Sequence, residues 1–184
     1  EELKNENIEK DVLEIYPILP LRNTVLFPQQ IIPIYVGRDQ SLKLIDDLSH
    51  EDRKYIVVVA QKDGAVENPG DSELYTVGTL AMVMKVFDMP DKSKSAIVQG
   101  LERVKINTFT QDSPYYKGLV SKVSDTGADH KEIESFAINV QRIFKKLIEV
   151  APYLSEDQTS ALSKIQNPSK VADKTVSLMN IATS

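Results

Sequence analysis

The sequence predicts an α+β fold: a β-rich barrel or sandwich with one inserted helix, followed by a small helical bundle. Three observations lead there. Four prolines, Pro17, Pro20, Pro28 and Pro33, punctuate short runs of β-branched and aromatic residues. Proline cannot donate to a ladder, so such runs form short, bent strands at edges and bulges. After Asp125-Thr126-Gly127-Ala128 the hydrophobic period changes from two toward 3.6. Beyond that change, two helix-start signals stand close together, Ser155-Glu156-Asp157-Gln158 and Asn167-Pro168.

Taken in order, residues 1–14 carry six acids against two lysines and are expected to form a mobile acidic arm. Residues 15–124 form the β-rich domain. Within it, residues 38–48 follow Gly37 and place Leu42, Ile45 and Leu48 at helical spacing, with Leu44 beside them. Tyr55-Ile56-Val57-Val58-Val59-Ala60 is a continuous apolar run and reads as a buried strand. Two long β-rich runs, 74–87 and 95–109, are separated by Asp88-Met89-Pro90-Asp91-Lys92-Ser93-Lys94, which has the charge and proline of a hairpin loop. Residues 116–124 supply another strand. Met82 and Met84 are expected to share one strand face and fill core, whereas Met89 sits in the charged loop.

Residues 129–184 form the helical subdomain. Ile133, Phe136, Ala137, Val140, Ile143, Phe144, Leu147 and Ile148 follow the i, i+3, i+4, i+7 template. Such a stripe stabilises only when buried, by roughly 1.5–3 kcal/mol per side chain, so it requires partner helices. Pro152 ends this helix. Ser155 then opens a helix that buries Leu162 and Ile165, and Asn167-Pro168 opens a third with Val171, Ala172, Val176 and Met179 inward. Three helices on short turns make an antiparallel bundle.

The 184 residues, 41% hydrophobic and 27% charged, suit a globular protein with a sizeable core. A net charge of −5 and a pI near 5.1 weigh against a duplex-DNA binder. The chain has no cysteine, which excludes disulfides, thiolate zinc sites and a thiol nucleophile, and accords with a reducing compartment. No apolar run reaches the length of a membrane span, and no signal peptide is visible in the polar start. The first residue is Glu, and helical periodicity continues through Val176–Ile181 to the last residues, so a piece of a longer protein is expected.

Motifs for chemistry are scarce. No glycine precedes a lysine, so the phosphate loop is missing, and no Gly-x-Ser-x-Gly elbow exists. The two histidines, His50 and His130, are far apart in charged settings and read as surface residues rather than metal ligands. Asp46, Asp47, Glu51 and Asp52 read as a solvated helix end.

A set of segments carries a family resemblance: Leu19-Pro20-Leu21-Arg22, Phe27-Pro28, Ile32-Pro33, Val36-Gly37-Arg38, Ser41, Ala60-Gln61-Lys62-Asp63, Leu74-Tyr75-Thr76-Val77-Gly78-Thr79 and Gly100-Leu101-Glu102-Arg103-Val104, with Asn167-Pro168 and Val171-Ala172-Asp173 downstream. In order and spacing they resemble the amino-terminal domain of the Lon family of ATP-dependent proteases over nearly the whole chain after the acidic arm. The resemblance implies a PUA-like pseudo-barrel followed by helices. It also implies a parent enzyme with an ATPase module and a Ser–Lys peptidase module, neither present in these residues. ATP and Mg²⁺ would belong to that ATPase module, and no cofactor, metal or catalytic residue is expected in this chain. The implied role is capture of unfolded or damaged proteins and help in assembling a homo-oligomeric ring, in the bacterial cytoplasm or, as the alternative, the mitochondrial matrix. Family members often place Pro-Asp-Gly in the hairpin, where this chain has Pro90-Asp91-Lys92. A nucleic-acid-binding PUA-like module is the alternative reading, disfavoured by the acidic pI; no membrane contact is expected.

A binder of many unfolded chains needs accessible apolar groups beside adaptable polar ones. Two regions are expected to meet substrate. One is the start of the first helix, Arg38, Asp39, Gln40 and Lys43. The other is the hairpin loop, Met89, Pro90, Lys92 and Lys94.

Overall fold

The computed structural model describes residues 13–125, 131–150 and 156–179. Six strands, β1 (Glu14–Leu21), β2 (Ile31–Val36), β3 (Tyr55–Ala60), β4 (Val77–Asp88), β5 (Lys94–Gln111) and β6 (Lys117–Lys122), pair in the order β2-β5-β4-β3-β1-β6. β5 also pairs with β6, which closes the sheet on itself. β1 and β3 run parallel, and the connection between them contains β2 and α1 (Asp39–Ser49). β1 opens at Glu14, opposite Val120, so the sheet takes in the last residue assigned above to the acidic arm. Residues 1–12 lie outside the described residues.

β5 serves two neighbours in turn. Its first half, Lys94 to Gln99, pairs with β2, and its second half, from Val104, pairs with β6. The register against β4 shifts between Leu80 and Ala81, and a bulge of this kind bends and twists the strand. Gly100 sits at the bend. A Cβ there would lie 2.3 Å from the Phe27 carbonyl oxygen, so only glycine allows the 27–30 loop to dock. The loop is held by Gln29 N–H to the Gly100 carbonyl (2.9 Å) and by Gly100 N–H to the Gln30 carbonyl (2.8 Å).

The barrel region has two cores, and β3 divides them. Ile56 and Val58 pack with Leu44, Ile45 and Leu48 of α1 and with Val83, Ala96 and Val98. Val57 and Val59 face the other way, onto Ile18, Leu74, Val104, Ile106, Tyr116 and Val120. Cover on both faces explains the continuous apolar run. Met84 departs from expectation. The register shifts again between Val83 and Lys85, which leaves Met84 without a cross-strand partner and 51% exposed, while Met82 is half-buried.

The helices are α2 (Lys131–Val150), α3 (Glu156–Ser163) and α4 (Pro168–Met179). Ala137, Phe144, Leu162 and Val171 are buried together, with Val140, Leu147, Ile165 and Leu178 around them. Asn167 caps α4: its Oδ1 accepts from Lys170 N–H at 3.0 Å. Gln141 of α2 donates from Nε2 to the carbonyls of Leu162 and Ile165, both at 2.9 Å, satisfying acceptors at and just beyond the end of α3. Arg103 of β5 and Asp173 of α4 form an ion pair that joins barrel to helices.

The apolar stripe of α2 is narrower than expected. Phe136 is 68% exposed and Ile143 58%. They are sequence neighbours of the buried Ala137 and Phe144, about 100° around the helix, and two short helices cover only the inner arc. Ala172 and Met179 of α4, expected inward, are exposed for the same reason. His130, Pro152 and Ser155, and the side chain of Ile148, lie outside the described residues.

Candidate functional site

The start of α1 lies on a cleft of about 430 Å³ between β1 and β2. β2 is the edge strand, paired only with β5, and β6 covers β1 only at Glu14–Pro17. The cleft is therefore flanked by two strand edges, at Leu19–Leu21 and Ile32–Val36, that have no strand partner among the described residues. Pro20 and Pro33 sit on these edges while their own strands pair on the opposite side, which is where a residue without an N–H fits a ladder.

Arg38 is the N-cap residue of α1, with extended backbone and no side-chain cap. Its guanidinium donates to Gln61 Oε1 at 2.6 Å. Gln61 is buried and donates to the carbonyls of Asp63 and Val66, so Arg38 helps pin the 62–67 loop. Burial, then the nearby Arg22 charge, lowers the Arg38 pKa from its usual value, and Glu67 opposes that. Asp39 and Gln40 are exposed on the first turn. Lys43 forms an i, i+4 ion pair with Asp47 at 2.5 Å, which raises the pKa of the lysine and lowers that of the acid. The acidic end of α1 is thus a paired, solvated surface.

The 88–94 hairpin closes with Lys92 N–H to the Met89 carbonyl (3.1 Å) and Met89 N–H to the Ser93 carbonyl (2.9 Å). Lys92 adopts φ 67°, the left-handed conformation that glycine takes without strain. Lysine thus occupies a left-handed position in this turn, where glycine would be the unstrained residue. Asp91 accepts from the Ser93 hydroxyl and from Ser93 N–H (3.1 Å), bonds that lower its pKa, and also from the Tyr35 hydroxyl at 3.3 Å. Met89, Pro90 and Lys92 are exposed. Lys94 is not free surface: its Nζ lies 2.7 Å from Asp88 and 3.1 Å from Asp46 of α1, and the side chain is only 21% exposed. Lys94 and Tyr35 thus tie the hairpin to β2 and to Asp46 toward the end of α1, rather than to the expected residues at its start.

The structure adds an apolar surface that the sequence reading missed. On the sheet face opposite α1, Tyr35, Ser95 and Phe87 form one row across β2, β5 and β4; Pro33, Ile97 and Lys85 form the next; and Ile31, Gln99 and Met82 a third. Tyr35 is 69% exposed and Ile31 55%, and Phe87 and Met84 are exposed too. The Lys85 ammonium lies over the Phe87 ring, 4.7 Å from its centroid. The alternation Ile34 in, Tyr35 out, Val36 in was the signal for Tyr35.

Among the described residues, no group of three or more His, Asp or Glu side chains is placed to hold a metal, and no helix is long and apolar enough to cross a membrane. The arrangement is suited to holding a polypeptide, with apolar side chains, unpaired strand edges and mixed charges side by side.

Comparison with known proteins gives the family. Residues 15–184 match the family model described as the ATP-dependent protease La (LON) substrate-binding domain. The chain is 39% identical over 166 residues to a Lon protease of Anaeromyxobacter dehalogenans, covering 90% of this chain and 20% of that protein. It is 35% identical over 184 residues to a Lon protease of Flavobacterium johnsoniae, covering 99% and 22%. The chain thus spans about a fifth of the length of these relatives. Among solved structures, its fold resembles the N-terminal domain of Mycobacterium avium complex Lon protease (TM-score 0.61, 14% identity, 91% of this chain and 97% of that one). It also resembles a Lon N-terminal domain protein from Xanthomonas campestris (TM-score 0.53, 20% identity, 89% and 98%). The α+β barrel with its trailing helices, and the match across residues 15–184, place the chain in the Lon substrate-binding domain family.

Proposed function

We propose that this chain captures unfolded or damaged proteins for an ATP-dependent Ser–Lys protease, and that it does so without chemistry of its own. The observation that carries the reading is the exposed apolar surface around Tyr35, Phe87, Met84 and Met89, contiguous with the hairpin and the α1 cleft. An unfolded chain offers apolar side chains and unpaired backbone groups, and this end of the barrel presents partners for both. Arg38 forms its polar border on the cleft side, and Pro90 and Lys92 on the hairpin side; Asp39, Gln40 and Lys43 follow on the exposed first turns of α1, and Lys94 acts by fixing the hairpin to α1. In the assembled ring several such weak sites act together, which raises apparent affinity by roughly 10²–10⁴ without new contacts. The outward Phe136 and Ile143 of α2 are the surface this reading assigns to contacts within that assembly. ATP and Mg²⁺ act elsewhere in the protease, and the bacterial cytoplasm is the compartment that fits.

The test is binding of a reduced, carboxamidomethylated, permanently unfolded protein by fluorescence anisotropy. Tyr35→Ser with Phe87→Ser removes two exposed aromatics without opening a core. Loss of two such anchors should weaken binding by about tenfold or more. Unchanged affinity would remove this face from the site.

A further inference from the structure

The cleft between β1 and β2 carries a charge imbalance. Arg22 and Arg38 both line it, and Glu67 is the one carboxylate among its lining residues. Among the described residues neither arginine forms an ion pair. Arg22 makes a single long hydrogen bond, to the Val66 carbonyl at 3.4 Å, and Arg38 bonds the neutral Gln61. Each guanidinium has five N–H donors in a fixed fork that matches a carboxylate, so most of their donor capacity is unused. Two cations held near each other beside a partly buried wall leave a field that one anionic group would relieve. Asp39, next in sequence to Arg38, does not line the cleft. The walls, meanwhile, are extended backbone and apolar side chains, the surroundings of a peptide strand rather than of a small free anion.

Building on the substrate-capture reading, we propose that this cleft is a carboxylate-reading subsite, where an extended substrate segment lies between β1 and β2 and places an acidic group against Arg22 and Arg38. The group is either an Asp or Glu side chain or a chain-terminal carboxylate; the chemistry is the same and the test separates them. The prolines fit this use. Pro20 and Pro33 each remove one donor from the two edges, which discourages a full ladder with a second copy and leaves the remaining edge groups and the two arginines to hold a shorter segment. Glu67 sets selectivity by competing for the same cations.

Three rhodamine-labelled decapeptides of one apolar-rich sequence are titrated against the whole 184-residue chain. One has a central Glu and an amidated end, one a central Gln and an amidated end, and one a central Gln and a free carboxylate. At least one carboxylate peptide should bind about two- to fivefold more tightly than the neutral one, the range of a solvent-accessible ion pair. That preference should shrink in high salt, vanish in Arg22→Gln, return in part in Arg22→Lys, and grow in Glu67→Gln. Arg22 is exposed with one weak bond, so the fold should survive, and equal affinity of Arg22→Gln for the neutral peptide checks this. Equal binding of all three peptides, or a preference that persists in Arg22→Gln, overturns the subsite. The carboxamidomethylated unfolded protein keeps the two readings apart: if it binds while the peptides do not differ, only the subsite fails, and if it does not bind, the capture reading fails with it.

Discussion

In the barrel, β3 is covered on both faces, by α1 on one side and by the closing turn of the sheet on the other. In the helical part, α2 buries one arc through Ala137 and Phe144 and leaves Phe136 and Ile143 in solvent. Both segments are rich in apolar residues, so hydrophobic content alone does not say which face is core. What differs is the number of neighbours. A closed sheet surrounds its central strand, whereas two short helices cannot surround a third of 20 residues. The barrel's apolar residues mainly hold the fold together, and the exposed ones, at the β2–β5–β4 end and along α2, are the surfaces to which the proposed capture and assembly contacts are assigned.

The sharpest way to break this comparison is to truncate matched residues. Ile56 is fully buried and Ile143 mostly exposed. Ile56→Ala should cost about 2–5 kcal/mol of stability, the range for a large-to-small change in a packed core. Ile143→Ala should stay within about 0.5 kcal/mol, as expected for surface positions. Urea unfolding followed by circular dichroism measures both. Similar losses at the two sites would mean that α2 is covered within the isolated chain. A smaller effect sharpens the account of the hairpin. Lys92 holds φ 67°, so Lys92→Gly should raise stability by up to about 1 kcal/mol. A drop in melting temperature would show that the lysine side chain compensates for its backbone strain.

Much of the fold was legible because its signals are local. The run Tyr55–Ala60, the helix from Asp39, the hairpin around Pro90 and the Asn167 cap each lie in a few adjacent residues. The rest depends on pairing between distant segments. Nothing near Met84 in sequence announces the register shift that turns it outward, and nothing near Lys94 announces Asp46 of α1. The length of β5 was legible, but its exchange of β2 for β6 halfway along was not, because that follows from closure of the sheet. The cleft was invisible for the same reason: its walls are strands that neighbour it without pairing across it. For the site, Arg38 and the hairpin were legible because accessible polar and apolar groups coincide there within a few residues of sequence. Tyr35 was not legible as part of a surface, although its strand alternates plainly, because its neighbours Phe87 and Lys85 come from a distant strand.

The central claim is that unfolded chains engage the β2–β5–β4 end of the barrel. Hydrogen–deuterium exchange of the chain, with and without saturating carboxamidomethylated unfolded protein, tests it most directly. The account predicts slowed exchange concentrated in segments 31–38 and 87–93, extending to 19–24 where the cleft is filled, with 136–143 of α2 unchanged. Protection concentrated on α2, or binding without protection at the β2 edge and hairpin, would contradict it.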